Sequence, residues 1–149
     1  MLNSQSSYRK SVFLVVYSLE SEKPNYLILK RKLHWKGWEF PKGGKESLET
    51  NKETLLRELK EETNLTPLKI KKLNKAGSYR YDLATQEERG FKGQKYSLYG
   101  IEVKKGKVII DFKEHSGFRW CTFEQAIKHL TWKDQKECLN LVHNSLNFN

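Results

Sequence analysis

The sequence predicts one folded domain of the α/β or α+β class. Apolar runs of strand length occupy the start and the middle of the chain, and segments with helical spacing and capping signals follow strands at two places. The length of 149 residues suits a single globular domain. Hydrophobic residues at 37% and charged residues at 31% give the balance of a folded chain. We therefore expect one domain over residues 1–149, with a flexible polar start at residues 1–7.

A β-hairpin is predicted near the N-terminus. Residues 12–17 form an apolar run of strand length, and residues 26–29 form a second one. The polar residues 20–25 between them are suited to a connecting loop. The two runs are therefore expected to pair with each other.

A helix is predicted from about Leu48 to about Asn64. Its apolar positions lie one or two turns apart, at Leu48, Leu55 and Leu59. Thr50 and Glu53 have the spacing of a capping box. Asn64 tolerates the left-handed conformation at a helix end, and Pro67 blocks further helix.

The remaining chain predicts mostly sheet and then two helices. The predicted strands are residues 68–73, 77–81, 95–103, 108–110 and 118–121. Thr122 and Gln125 form a second capping box, which should begin a helix through Ala126. A last amphipathic helix is indicated by the spacing of Leu139, Val142 and Leu146.

Charge and cysteine usage restrict the function and the compartment. A formal net charge of +10 favours anionic partners such as nucleotides, polyphosphates or RNA, without choosing among them. Only Cys121 and Cys138 are present, which argues against a disulfide framework or a cysteine zinc site. The apolar run at residues 12–17 is too short for a signal peptide or a membrane span. We expect a cytoplasmic protein with no membrane contact and no obligate protein partner.

Three glutamates share one face of the first predicted helix. Glu58, Glu61 and Glu62 stand at positions i, i+3 and i+4. Such a group is often an ordinary solvated helix face. If the face is partly buried, a divalent cation removes the repulsion between the carboxylates, and oxygen ligands suit Mg²⁺ or Mn²⁺ better than zinc.

Residues 43–65 resemble the signature of the Nudix hydrolase family, G-x5-E-x7-R-E-U-x-E-E-x-G-U. The matching residues are Gly43, Glu49, Arg57, Glu58, Leu59, Glu61, Glu62 and Leu65. Asn64 stands where the family has a second glycine, and asparagine tolerates the positive φ needed there. The resemblance implies an α/β/α sandwich with a mixed sheet and a catalytic loop-helix-loop. It also implies metal-dependent hydrolysis of a diphosphate linkage.

The resemblance implies a role for each residue of the signature. Glu58, Glu61 and Glu62 would bind Mg²⁺ or Mn²⁺ with the help of the Gly43 backbone. Arg57 would orient Glu58, and Glu49 would steady the loop.

The proton acceptor for the attacking water lies either in the signature or beyond it. It would be Glu58 or Glu114, with a slight preference for Glu114, whose segment 114–120 resembles a later family loop with a catalytic glutamate.

Segments outside the signature resemble one branch of the family, the dinucleoside polyphosphate hydrolases and the RNA 5′ pyrophosphohydrolases. Residues 38–44 are similar to its W-x-F-P-x-G-G motif, and residues 8–12, 79–83 and 93–96 are similar to other parts of it. The implied substrate contacts are Arg9, Lys32, Lys42 and Lys95 for phosphate, and Tyr79 or Tyr81 for a purine ring.

Four functions remain open at this point. The first choice is cleavage of diadenosine tetraphosphate to ATP and AMP. The alternatives are an RNA 5′ pyrophosphohydrolase, a nucleoside triphosphate sanitising diphosphatase, and a non-catalytic nucleotide- or RNA-binding module. The last is disfavoured because all the glutamates of the signature are intact.

Overall fold

The computed structural model describes residues 7–146. Residues 1–6 of the predicted flexible start lie outside the described residues. The strands are β1 (Arg9–Ser18), β2 (Asn25–Arg31), β3 (Gly37–Glu39), β4 (Lys42–Gly44), β5 (Pro67–Arg80), β6 (Gly93–Val103) and β7 (His115–Cys121). The helices are α1 (Asn51–Thr63), α2 (Leu83–Arg89), α3 (Phe123–His129) and α4 (Lys133–Ser145). No helix within residues 7–146 has the length and hydropathy needed to cross a membrane.

Strand β1 is the centre of a mixed sheet. It pairs in parallel with β6 over residues 9–17 and antiparallel with both β2 and β4. The strand order is β3-β2-β1-β6-β5, with β4 attached to β1 and β7 attached to β2. The predicted hairpin is confirmed, because Tyr17 of β1 lies opposite Tyr26 of β2.

Side chains alternate along β1 and enter two different cores. One face contributes Phe13, Val15 and Tyr17, which pack with residues of α3 and α4. The other face contributes Val12, Leu14 and Val16, which pack with Leu55 and Leu59 of α1. A strand buried on both faces is continuously apolar, as the sequence of β1 is. The expected α/β/α sandwich with a mixed sheet is therefore confirmed.

The signature helix α1 has the predicted ends. Both hydrogen bonds of the capping box between Thr50 and Glu53 are present. At the other end, Asn64 has φ 65° and its backbone N–H donates to the carbonyl of Lys60 at 2.9 Å. Leu48 was expected on the apolar face of the helix, and this is wrong. It precedes the helix with φ 70° and is 97% exposed, because the chain turns there towards Thr50.

Three further predictions need correction. The segments 68–73 and 77–81 belong largely to one strand, β5, which is interrupted by a register shift between Lys72 and Ala76. Residues 108–110 form no strand; Ile110 is nevertheless buried against the α1 side of the sheet. Helix α2 was not predicted. None of its residues, all of which the structure describes, is buried, so it has no apolar periodicity to detect.

The conformation of Asn64 predicts how substitutions there change stability. Asn64→Ala places an ordinary side chain in the left-handed region and should lower the free energy of unfolding by about 1–2 kcal/mol. Asn64→Gly, the matched control, should retain stability because glycine adopts this conformation without steric cost. Urea unfolding curves measure both variants. Equal stabilities for the alanine and glycine variants would contradict the assignment.

Candidate active site

Strand β4, which carries Gly43 and Gly44, and the carboxylate face of α1 meet beside β1. Strand β4 pairs with β1 and brings Gly43 against the side chain of Glu58. A Cβ atom at Gly43 would lie 1.9 Å from Cδ of Glu58, so any other residue at position 43 would displace the Glu58 carboxylate. The backbone N–H of Lys42 also donates to Oε2 of Glu62 at 3.1 Å. Strand β4 therefore contacts two of the three predicted metal ligands directly, Glu58 and Glu62.

Arg57 fastens the loop and the helix together. Its Nε and Nη2 donate to the two oxygens of Glu49 at 2.7 and 2.9 Å, and Nη2 also donates to the carbonyl of Gly44 at 2.9 Å. Nη1 donates to Glu58 at 2.9 Å and to Glu61 at 3.3 Å. The bond from Arg57, helped by the backbone N–H of Glu46, lowers the pKa of Glu49 to about 2. These contacts are those expected if Arg57 orients Glu58 and Glu49 steadies the loop.

Burial, together with repulsion between carboxylates, raises the pKa values of Glu58 and Glu62. Glu62 is 2% exposed, and burial first, then Glu58, Glu39 and Glu114, raises its pKa well above the usual value. Burial raises the pKa of Glu58 to about 7, with further contributions from Glu61 and Glu114. Glu61 is more open, with 54% of its side chain exposed. The structure thus brings Glu114 close to Glu58 and Glu62 of α1.

Glu114 reaches the site through a tight turn before β7. Its N–H and that of His115 donate to the carbonyl of Asp111, and its own carbonyl accepts from Lys32 N–H at 2.9 Å. One oxygen each of Glu62 and Glu114 and one ring nitrogen of His115 lie within 4.8 Å of one another. The buried, mutually repelling oxygen donors fit a divalent cation, which would remove the repulsion.

A buried ion network beneath the site was missed at the sequence level. Glu39 has no exposed surface, and its Oε2 accepts from Nη1 of Arg31 at 3.2 Å and from Nε2 of His115 at 2.7 Å. Nζ of Lys42 lies 3.5 Å from Oε1 of Glu39. Burial acts to raise the pKa of Glu39, but the His115 bond and the charges of Lys42 and Arg31 hold it below its usual value. The sequence feature that could have indicated this network is Glu39, a charged residue between Trp38 and Phe40.

A cleft of about 1190 Å³ opens over the carboxylates. Four of the predicted substrate contacts line it, namely Arg9, Lys42, Tyr79 and Tyr81. Lys32 and Lys95, predicted as phosphate contacts, are exposed residues outside its lining, and Nζ of Lys95 lies 5.6 Å from the ring centre of Tyr8 instead. The cleft has further cations at Arg31, Lys45, Arg57, Arg80, Arg89 and Lys113.

Two aromatic pairs line the same cleft. Tyr79 and Tyr81, at and just beyond the end of β5, have ring centres 6.1 Å apart. Trp35, in the β2–β3 loop, and Trp132, before α4, have ring centres 5.3 Å apart. Neither tryptophan was proposed from the sequence, because their loops meet only in the folded chain. Tyr79 and Trp132 remain 37% and 49% exposed, so their rings are accessible from solvent.

Comparisons with known proteins identify sequences similar to this chain. A family model described as the NUDIX domain matches residues 7–142. The RNA pyrophosphohydrolase of Marinomonas sp. (strain MWYL1) is 32% identical over 128 residues, covering 78% of this chain and 76% of that protein. The RNA pyrophosphohydrolase of Xylella fastidiosa (strain 9a5c) is 31% identical over 134 residues, covering 83% and 68% respectively.

Solved structures share the fold. A C. elegans Ap4A hydrolase binary complex has a TM-score of 0.71 at 24% identity, covering 93% of this chain and 97% of that chain. The E. coli dihydroneopterin triphosphate pyrophosphohydrolase has a TM-score of 0.74 at 16% identity, covering 94% and 99%. At these identities the two structures show the common fold alone.

The raised pKa of Glu62 predicts a stability difference that depends on pH. The folded protein holds the Glu62 proton more tightly than the unfolded chain does, so the ionised carboxylate destabilises the fold as the pH rises above the ordinary carboxyl pKa. Glu62→Gln keeps an acceptor for the N–H of Lys42 and removes the charge. Without metal, the variant should be more stable than the parent protein by about 1–3 kcal/mol at about pH 8 and by little at about pH 4.

Urea unfolding across this pH range, with and without Mg²⁺, measures the effect. Added Mg²⁺ should stabilise the parent protein and leave the Glu62→Gln variant nearly unchanged, because the carboxylate ligand is gone. Glu88→Gln, on the exposed side of α2, is the matched control and should follow the parent protein. Parallel pH profiles for the parent and Glu62→Gln would refute the prediction.

Proposed function

The chain belongs to the Nudix family and is a pyrophosphohydrolase, and on this premise we propose that its substrate is a dinucleoside polyphosphate such as diadenosine tetraphosphate. The products would be ATP and AMP. The observation that carries the proposal is the presence of two aromatic pairs in the cleft that holds the carboxylates. A substrate with a base at each end can use both pairs.

The strand order separates the two aromatic pairs. Tyr79 belongs to β5, and Trp35 follows β2, with β6 and β1 between these strands. Three strand spacings amount to about 14 Å. Strand β4, which carries Gly43 and Gly44, pairs with β1 and therefore lies between the two aromatic pairs. This spacing suits a polyphosphate chain that crosses the catalytic edge with a nucleoside on either side.

The basic side chains of the cleft support an extended anionic substrate. Arg9 lies against Gly44, where a Cβ atom would come within 2.1 Å of its guanidinium carbon. Arg80 and Lys113 line the cleft and are exposed. Lys42 is partly neutralised by Glu39, so Arg9 is the better placed of the predicted phosphate contacts. Guanidinium groups bind phosphate oxygens through paired hydrogen bonds.

We further propose that Glu58, Glu61, Glu62 and the backbone of Gly43 hold a divalent cation, Mg²⁺ or Mn²⁺. When bound, the metal would lower the pKa of a water molecule and neutralise charge on the transferring phosphoryl group. Arg57 holds Glu58 in place through a bond of 2.9 Å. Glu114 is our preferred proton acceptor, and Glu58, with a pKa of about 7, is the alternative.

Removal of pyrophosphate from RNA 5′ ends is the second candidate. It is favoured by the names of two relatives at 32% and 31% identity, both RNA pyrophosphohydrolases. The same aromatic pairs could hold the first two bases of an RNA chain. We propose that either reaction is carried out by residues 1–149 as a single domain without an obligate protein partner.

A substrate panel tests the proposal. Diadenosine tetraphosphate, triphosphorylated and capped RNA, and nucleoside triphosphates are compared by kcat/KM with Mg²⁺ and with Mn²⁺. The expected result is the highest value for diadenosine tetraphosphate, with ATP and AMP as products resolved by chromatography. A higher value for triphosphorylated RNA would transfer the assignment to the second candidate.

Removing one aromatic pair predicts a specific defect. A stacked base contributes about 1–3 kcal/mol, so Trp35→Leu should lower kcat/KM for diadenosine tetraphosphate by about 5- to 150-fold. Tyr79→Leu, at the exposed member of the other pair, should do the same. With adenosine tetraphosphate, which has one base, only one of these variants should lose activity. Trp120→Leu, outside the cleft lining, is the control. Equal losses on both substrates in both variants would contradict a two-base site.

A further inference from the structure

His115 has an unusual environment at the start of β7. Its side chain has no exposed surface. Nε2 lies 2.7 Å from Oε2 of Glu39, whereas Nδ1 has no hydrogen-bond partner among residues 7–146. Nearly all buried polar atoms in proteins have a partner, so an unpaired ring nitrogen in this position calls for one.

The bond to Glu39 determines what the free nitrogen can offer. A carboxylate only accepts hydrogen bonds, so the ring proton is on Nε2 and a neutral ring presents a lone pair at Nδ1. A histidine that binds a metal usually donates its other ring N–H to a carboxylate, which fixes the ring and strengthens the ligand. The Glu39–His115 pair has this arrangement.

The neighbours of His115 complete a set of three donors. One of its ring nitrogens lies within 4.8 Å of an oxygen of Glu62 and an oxygen of Glu114. We take Nδ1 as the ligand atom, because Nε2 is bonded to Glu39 and Nδ1 has no hydrogen-bond partner among residues 7–146. Glu62 is itself buried, and its other contact is the backbone N–H of Lys42 on Oε2.

We propose that His115 is a nitrogen ligand of the metal site and that Glu62, Glu114 and His115 together form a position that prefers Mn²⁺ to Mg²⁺. Glu114 offers the ion one oxygen, and its second oxygen stays available as the proton acceptor. The inference rests on the proposed metal role of the carboxylates but not on the identity of the substrate. Mg²⁺ requires oxygen ligands, whereas an imidazole nitrogen suits transition ions. A site with two carboxylates and one imidazole therefore selects Mn²⁺ from a mixture of the two ions.

The first experiment uses the full, unmodified chain after removal of metals. Mn²⁺ is titrated while the free ion is followed by electron paramagnetic resonance, and pulsed measurements then detect ¹⁴N nuclei coupled to the bound ion. We expect the coupling of one directly bound imidazole nitrogen, and a Kd for Mn²⁺ at least about 10-fold lower than that for Mg²⁺ in competition. Bound Mn²⁺ without a nitrogen coupling overturns the proposal.

A substitution tests the assignment to His115. His115→Gln keeps an N–H donor for Glu39 and removes the ring lone pair. It should abolish the nitrogen coupling and weaken Mn²⁺ binding by about 10- to 100-fold, while Mg²⁺ binding changes by less than about 3-fold. His129→Gln, on α3 where the ring contacts Arg119, is the control and should keep the coupling. A coupling that persists in His115→Gln, or equal losses for Mn²⁺ and Mg²⁺, overturns the proposal.

The outcomes separate this inference from the proposed function. If His115→Gln fails to fold, as circular dichroism would show, the nitrogen coupling of the unmodified protein still decides the question. Hydrolysis of diadenosine tetraphosphate without a nitrogen coupling removes the histidine ligand and leaves the proposed function. A nitrogen coupling without hydrolysis retains the ligand and removes the proposed substrate.

Discussion

Burial of several carboxylates at one edge of the sheet is the constraint on which the architecture depends. Two ionised carboxylates about 4 Å apart repel by about 4 kcal/mol at the effective dielectric constant of a protein surface. Glu58 and Glu62 contact strand β4, and Glu114 joins them from the turn before β7. Burial is the main cause of the raised pKa values of Glu58 and Glu62, and repulsion from the neighbouring carboxylates adds to it. A bound cation would convert the same repulsion into metal affinity.

The positive residues around the site divide into two groups with different tasks. Arg57 joins Glu49, Glu58 and the Gly44 carbonyl, so it fixes the loop to the helix. Arg31 and Lys42 instead neutralise Glu39, which lies under the site and has no exposed surface. These buried charges are paired, as buried charges must be. Arg9, Arg80 and Lys113 also line the cleft, and we propose that they contact substrate phosphates.

The sheet determines which parts of the sequence meet at the active edge. Because β1 and β6 run parallel, Arg9 lies opposite Gln94, and β5 in turn places Tyr79 opposite Gln94. The antiparallel pairing of β1 with β4 brings Gly43 and Gly44 to the same place. Residues that are far apart in the chain thus become neighbours by strand register, and the proposed catalytic and substrate-binding residues are held by one sheet.

The sequence by itself determined the signature helix, its caps and the reaction class, because these depend on local spacing and on the chemistry of a few residue types. Only the tertiary structure decided that Glu39, Arg31 and His115 form a buried network and that Trp35 and Trp132 share a cleft with Tyr79. It also showed that Leu48 precedes the helix and that Lys32 and Lys95 lie outside the cleft lining. The reason is physical: strand register and the meeting of distant loops are properties of long-range packing, and local spacing in the chain does not specify them.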